Sequence, residues 1–152
     1  MELQHVKPHG VLYQMADQDE AIAQAISEAV RASGQRLILI ALARGGLSAH
    51  SRKMGCRVAS EGFADRAYNS NGTLVPRKLP GALITQPEKA AAQAIQIVCE
   101  GKVTALDGME VALDIDTICC HGDTPGATEI VRAVREGLEK AGVEVRALRG
   151  WL

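Results

Sequence analysis

The run LILIALA, residues 37–43, constrains the fold more than any other stretch of this chain. It is apolar at every position, with no polar residue on either alternate face. A strand half-exposed to water alternates polar and apolar side chains, because successive residues point to opposite faces. An unbroken apolar strand is therefore one covered on both faces, as in a parallel sheet flanked by helices. The run is also too short to span a bilayer.

The rest of the chain fits that frame. HVK (5–7) reads as a short strand, and DQDEAIAQAISEAVRAS (17–33) as a helix. Asp17 is its expected cap, Ile22, Ala25, Ile26, Ala29 and Val30 its apolar stripe, and Gly34 its stop. RLILIALA (36–43) is the apolar strand, Leu47 to Met54 a short helix, and CRVASEGFA (56–64) another strand. Residues 65–84 read as an irregular loop. Thr85-Gln86-Pro87-Glu88 has the form of a capping box, opening a helix that runs to Gly101. A strand at Lys102–Leu106 and another at TICC (117–120) precede a helix from Pro125 to Ala141, with Ile130, Val131, Val134 and Leu138 inward. VEVRAL (143–148) reads as a closing strand. Strands alternating with amphipathic helices predict a single α/β domain over 1–152, with five or six mostly parallel strands.

Composition narrows the function classes. The 152 residues carry 17 basic and 18 acidic side chains, a formal net charge of −1, with no charge run that would mark a nucleic-acid or anionic-membrane partner. The N-terminal MELQHVKPHG does not read as a signal peptide. Four cysteines (Cys56, Cys99, Cys119, Cys120) include no CxxC, which favours reduced thiols and a cytoplasmic setting over disulfides or a thiolate metal site. The RGG at 44–46 is too short for a phosphate loop, and no GxxxxGK[ST] occurs.

In α/β folds ligands bind at the carboxyl ends of the strands. Three strand ends deliver ionisable residues there: Lys7 and His9 in VKPHG, Asp65 and Arg66 in FADRAY, and His121 and Asp123 in CCHGD. Each has a plainer alternative. Asp123 would serve as a helix cap, His121 as a hydrogen-bonded core histidine, Lys7 as a solvated charge, and Arg66 as a brace paired with Asp65. His5 and His50 read as structural or surface residues. The joint occurrence predicts that His9, Asp65 and His121 share one concavity, with Arg66 at its rim.

The blocks VKPHGVLY (6–13), EGFADRAY (61–68), LVPR (74–77), PGALI (80–84), AAAQAIQIV (90–98) and DTICCHGDTPGA (116–127) resemble, in order and spacing, those of the LamB/YcsF family. The resemblance covers nearly the whole chain. Family members carry more sequence before VKPHG, with an acidic DLNxDxGE opening and two histidine-bearing segments. This chain resembles the family's C-terminal part. A closed barrel takes about 250 residues, so the expectation is a partial (β/α) barrel of the glycoside hydrolase/deacetylase type. A local departure is LARGG (42–46), where the family more often shows an LAGS-like turn.

The resemblance implies a component of an ATP-dependent 5-oxoprolinase, opening 5-oxo-L-proline to L-glutamate, with ATP as cofactor and two further subunits as partners. A five-membered lactam is a nearly unstrained amide, so opening it calls for carbonyl activation. It also calls for a general base near neutrality and cations on the developing charge. On that chemistry His9 and His121 are the acid/base candidates, Asp65 and Asp123 orient them, and Lys7, Arg66 and Arg77 bind substrate or phosphate. Two alternatives remain at this point: a metal-dependent carbohydrate deacetylase, and a non-catalytic binding or assembly module of the same complex. A partial barrel exposes a strand edge, so the chain is further expected to be inactive alone. It should either form a homo-oligomer or accept an N-terminal fragment.

Overall fold

A computed structural model describes residues 3–34 and 36–148. Its elements, in chain order, are β1 (His5–Val6), α1 (Val11–Gln18), α2 (Glu20–Ala32), β2 (Ile38–Leu42), α3 (Gly46–Lys53), β3 (Arg57–Phe63), α4 (Pro87–Glu100), β4 (Lys102–Thr104), β5 (Glu110–Ala112), β6 (Thr117–Cys119) and α5 (Ala127–Lys140). One sheet has strand order β1-β2-β3-β6, and β4 and β5 form a separate antiparallel pair. The chain divides into two compact units, residues 1–61 with 148–152, and residues 62–147.

In the first unit β2 lies between β1 and β3, parallel to both, with Val6 opposite Leu39 and Leu42 opposite Glu61. All five β2 residues are buried, as an unbroken apolar run requires. Their alternate faces serve two cores. Leu39 and Ala41 pack with Ala16, Ala23, Leu47 and Val58, and Ile38 and Ile40 pack with Ala59 and Leu148. The helix expected over 17–33 is α2, which starts at Glu20; residues 17 and 18 belong to α1, a helix not among those expected. Asp17 lies at the end of α1, and the α2 cap is Asp19, whose carboxylate accepts from the amides of Ala21 and Ile22. The buried face of α2 is also rotated from the expected stripe: Ala23 and Ser27 are buried while Ala25 and Ala29 are exposed. The cause is polar. Ser27 Oγ meets Ser51 Oγ of α3 at 2.8 Å and donates to the Ala23 carbonyl, so two small hydroxyls sit where helix meets helix.

In the second unit α4 and α5 pack together, and Ala90, Ala94, Ile130, Val134 and Leu138 form a core with Ala64. Gly137 permits their approach, since a Cβ there would stand 3.3 Å from Ile95 and 3.4 Å from Ala91. Residues 65–84 form the expected irregular loop, held by isolated bridges between Arg66 and Leu83 and between Tyr68 and Leu74. Three expectations fail in detail. The cap of α4 is Gln86, without a side-chain hydrogen bond, so the capping box is not formed; Pro87 at the first turn starts the helix instead. Val131 faces water at 48 % exposure. Residues 143–148 form no strand, although Val143 packs on the core beneath α5. A β-rich hexapeptide needs an edge to pair with, and propensity alone does not supply one.

Candidate functional site

Two clusters contain most of the residues singled out from sequence, one in each unit. In the second unit β3 ends at Phe63, and Gln93 of α4 fixes the exit. Its Nε2 donates to the carbonyls of Phe63 and Arg66 at 2.7 and 2.8 Å. This grip sets Asp65 beneath the end of β6. Asp65 is 2 % exposed, and its Oδ2 accepts the His121 backbone N–H at 2.7 Å. Both of its oxygens lie 3.0 Å from His121 Nδ1. A carboxylate has no proton to give, so Nδ1 carries the hydrogen, and in the neutral imidazole Nε2 then keeps its lone pair. Phe63 stacks on the imidazole with centroids 5.6 Å apart and planes at 21°, which fixes the remaining rotation. The His121 side chain is 25 % exposed, open enough to meet a ligand.

Arg66 is not at a rim. It is 4 % exposed, one guanidinium nitrogen donates to the Val75 carbonyl at 2.7 Å, and its Nε is buried without a hydrogen-bond partner. Burial, followed by the nearby Arg77 charge, holds its pKa below the usual arginine value. The brace it forms is to the backbone of its own loop. Asp123 does not cap α5, whose N-cap is Gly126 without a side-chain cap. It instead accepts from Arg77 at 2.7 Å, and that hydrogen bond lowers its pKa while raising that of Arg77. Burial pushes the Cys120 thiol up to about 12, so this cysteine offers no nucleophile beside His121.

In the first unit Lys7 follows β1 directly and reaches Glu61 of β3, Nζ to Oε1 2.7 Å. Tyr13 of α1 donates to the other oxygen of Glu61 at 2.9 Å. His9 is exposed, and its Nδ1 lies 2.8 Å from the Lys7 carbonyl. Sequence reasoning passed over Glu61 and Tyr13. A signal existed: a glutamate inside the buried strand VASEGF requires a partner.

The ATP implied by the resemblance finds no fitting cradle among these residues. Lys7 and Arg77 are each paired with a carboxylate, and Arg66 is committed to a carbonyl. The Gly45-Gly46 turn opening α3 is filled by Asp17, since a Cβ at Gly45 would fall 2.1 Å from Asp17 Oδ1. A helix start already facing a carboxylate is no phosphate site. Among the described residues no three His, Cys, Asp or Glu side chains group as metal ligands would. None of the described helices is long and apolar enough to cross a membrane.

The strand order and the flanking helices fit a partial α/β barrel, as expected. A crystal structure titled lactam utilization protein, from Thermus thermophilus, superposes with a TM-score of 0.90 at 51% identity, over 97% of this chain and 59% of that one. The LamB/YcsF family model matches residues 1–152, and the chain belongs to that family. Its relatives include proteins named as one of the subunits of 5-oxoprolinase. Such a protein from Thermus thermophilus is 53% identical, over 97% of this chain and 59% of its own length. Another, from Pyrococcus furiosus, is 48% identical, over 95% and 57%. The chain thus spans somewhat under three fifths of the relatives it matches.

Proposed function

We propose that the chain is part of a 5-oxoprolinase and that His121, oriented by Asp65, moves the protons that open 5-oxo-L-proline to L-glutamate. The observation carrying this is the grip of one buried carboxylate on both the backbone N–H and the ring Nδ1 of His121. Such a grip fixes tautomer and direction together and turns Nε2 outward as a base. Water attacks the lactam carbonyl carbon while Nε2 takes its proton. The C–N bond then breaks, and the same nitrogen returns the proton to the departing amine, giving the amino acid. The ring opening itself consumes one water; the ADP and phosphate of the coupled reaction would arise on the partner subunits. Arg77 and, from within its loop, Arg66 supply positive charge, and Lys7 is a candidate anion-binding residue of the first unit. His9 is a second acid/base candidate, and Asp123 sets Arg77.

Relatives named as one 5-oxoprolinase subunit imply others, and we assign to those the ATP that drives the reaction. The same reading places the protein in the cytoplasm with reduced cysteines. The test is glutamate formation by the chain assembled with its partner subunits. Both His121→Ala and Asp65→Asn should lower turnover by about 10²–10⁴-fold, the usual worth of a positioned general base. Unfolding should stay cooperative, since truncation at a half-exposed strand end opens no large cavity. Wild-type rates from folded His121→Ala protein would end the proposal.

A further inference from the structure

We propose that Gln93 is a positioning residue whose side-chain amide, without touching substrate, sets the tautomer of His121 and through it the turnover rate. The inference rests on the reading of His121 as the proton-moving base and adds a residue of α4 on which that base depends. Gln93 lies on the stripe of α4 formed by Ala90, Ala94 and Ile97, all of them buried. A polar group on such a stripe is costly unless its hydrogen bonds are made. Its Nε2 donates to three carbonyls, those of Phe63 at 2.7 Å, Ala64 at 3.3 Å and Arg66 at 2.8 Å. An amide nitrogen carries two hydrogens, so the two short contacts use both and the longest is shared.

The gap in this series is Asp65, whose carbonyl accepts instead from the Ile84 amide at 2.9 Å. All four carbonyls of residues 63–66 are thereby occupied. The N–H groups of Phe63 and Ala64 are occupied too, on the Tyr68 hydroxyl at 2.8 Å and the Cys119 carbonyl at 3.0 Å. A segment so fully bonded has little backbone freedom, and it carries both groups that orient the imidazole, the Phe63 ring and the Asp65 carboxylate. Three of its four carbonyls depend on one side chain. Without that amide they would be left to find other donors, and the segment would relax toward them. Asp65 would then move off His121 Nδ1, and an imidazole with no fixed acceptor there distributes its proton over both nitrogens. Only part of the histidine would then present Nε2 as a base.

The experiment reads the ring nitrogens of His121 by nitrogen NMR of the chain carrying isotopically labelled histidine, with His121→Ala identifying its signals. At a pH where the ring is neutral, wild type should show Nδ1 protonated and Nε2 bare. Gln93→Met keeps the length of the side chain and removes its donors. It should give signals averaged over both tautomers while still melting cooperatively. With the partner subunits, the same variant should lose about 10–100-fold in kcat, the scale of a misplaced catalytic group, with KM unchanged. Gln93→Asn, whose amide stops one methylene short of the carbonyls, decides if Gln93→Met does not fold. A folded variant of either kind that keeps the pure Nδ1–H tautomer overturns the proposal, as does an unchanged kcat when His121→Ala is inactive. The NMR readout needs neither substrate nor partner subunits. Wild-type turnover by His121→Ala would therefore end the functional reading, while the tautomer still decides whether Gln93 positions His121.

Discussion

Single residues here are constrained most tightly where backbone approaches backbone. Gly46 is such a place. A Cβ on it would lie 2.4 Å from the carbonyl oxygen of Asp17 and 3.1 Å from the carbonyl carbon, and neither can swing aside as a side chain can. Gly46→Ala should therefore destabilise the chain by about 1–3 kcal/mol, the range for overpacking a filled site. Gly55→Ala, with nothing within 4 Å but a φ of 78°, should show only the cost of the left-handed backbone. Denaturant midpoints of the two variants check this, and a Gly46→Ala chain as stable as wild type would show that α1 and α3 are free to part. From sequence the RGG stretch read as a plain turn. Its departure from the LAGS-like pattern marked the position, but the partner that makes glycine necessary is nearly thirty residues away and leaves no local trace.

Among the elements, the junction of α1 with α3 carries a titration. Burial raises the Asp17 carboxyl from 3.8 to about 6, opposed by the Leu47 amide, which donates to Oδ1 at 3.4 Å. The folded chain thus holds this proton more tightly than the unfolded one. Stability then rises as pH falls from about 6 toward about 4, and above 6 the ionised carboxylate costs the fold roughly 1–2 kcal/mol after allowance for partial solvation. Asp17→Asn keeps an acceptor for Leu47 and should flatten that part of the pH–stability curve. An unchanged slope in urea melts between pH 4 and 7 would place the titration elsewhere. Sequence reasoning took Asp17 for a helix cap, because the amphipathic period runs on through residues 17–33. The break falls at Asp19, whose extended backbone, φ −121°, ends one helix and caps the next. What was legible was periodicity: β2, β3, α4 and α5 lie within three residues of their expected bounds. What was not legible depended on contacts distant in sequence, such as the Ser27–Ser51 pair that turns α2, or the edge that residues 143–148 would have needed. The site divides in the same way. Strand-end position grouped Asp65 with His121, which are in hydrogen-bond contact across fifty-six residues, whereas the bond from Arg77 to Asp123 left no trace in the local pattern.

Across the whole chain the candidate chemistry divides by unit, with the Lys7–Glu61–Tyr13 trio in residues 1–61 and the His121–Asp65 pair in residues 62–147. The cysteines report on each unit separately. Cys56 packs against the core of the first, and burial raises its thiol pKa. Cys120 packs against the core of the second, and burial takes its pKa to about 12. Cys99 is exposed on the last turn of α4. Since only a thiolate attacks, a pKa near 12 leaves Cys120 ionised to roughly one part in ten thousand at pH 8, before any steric protection is added. A thiol reagent added to the native protein at pH 8 should therefore modify Cys99 first, Cys56 later, and Cys120 last. In denaturant, where burial is gone, Cys56, Cys99 and Cys120 should react at similar rates. Mass spectrometry of the peptides follows each site. Labelling of native Cys120 as fast as Cys99 would show that the α4–α5 core, on which the placement of Asp65 and His121 depends, opens far more readily than its packing implies.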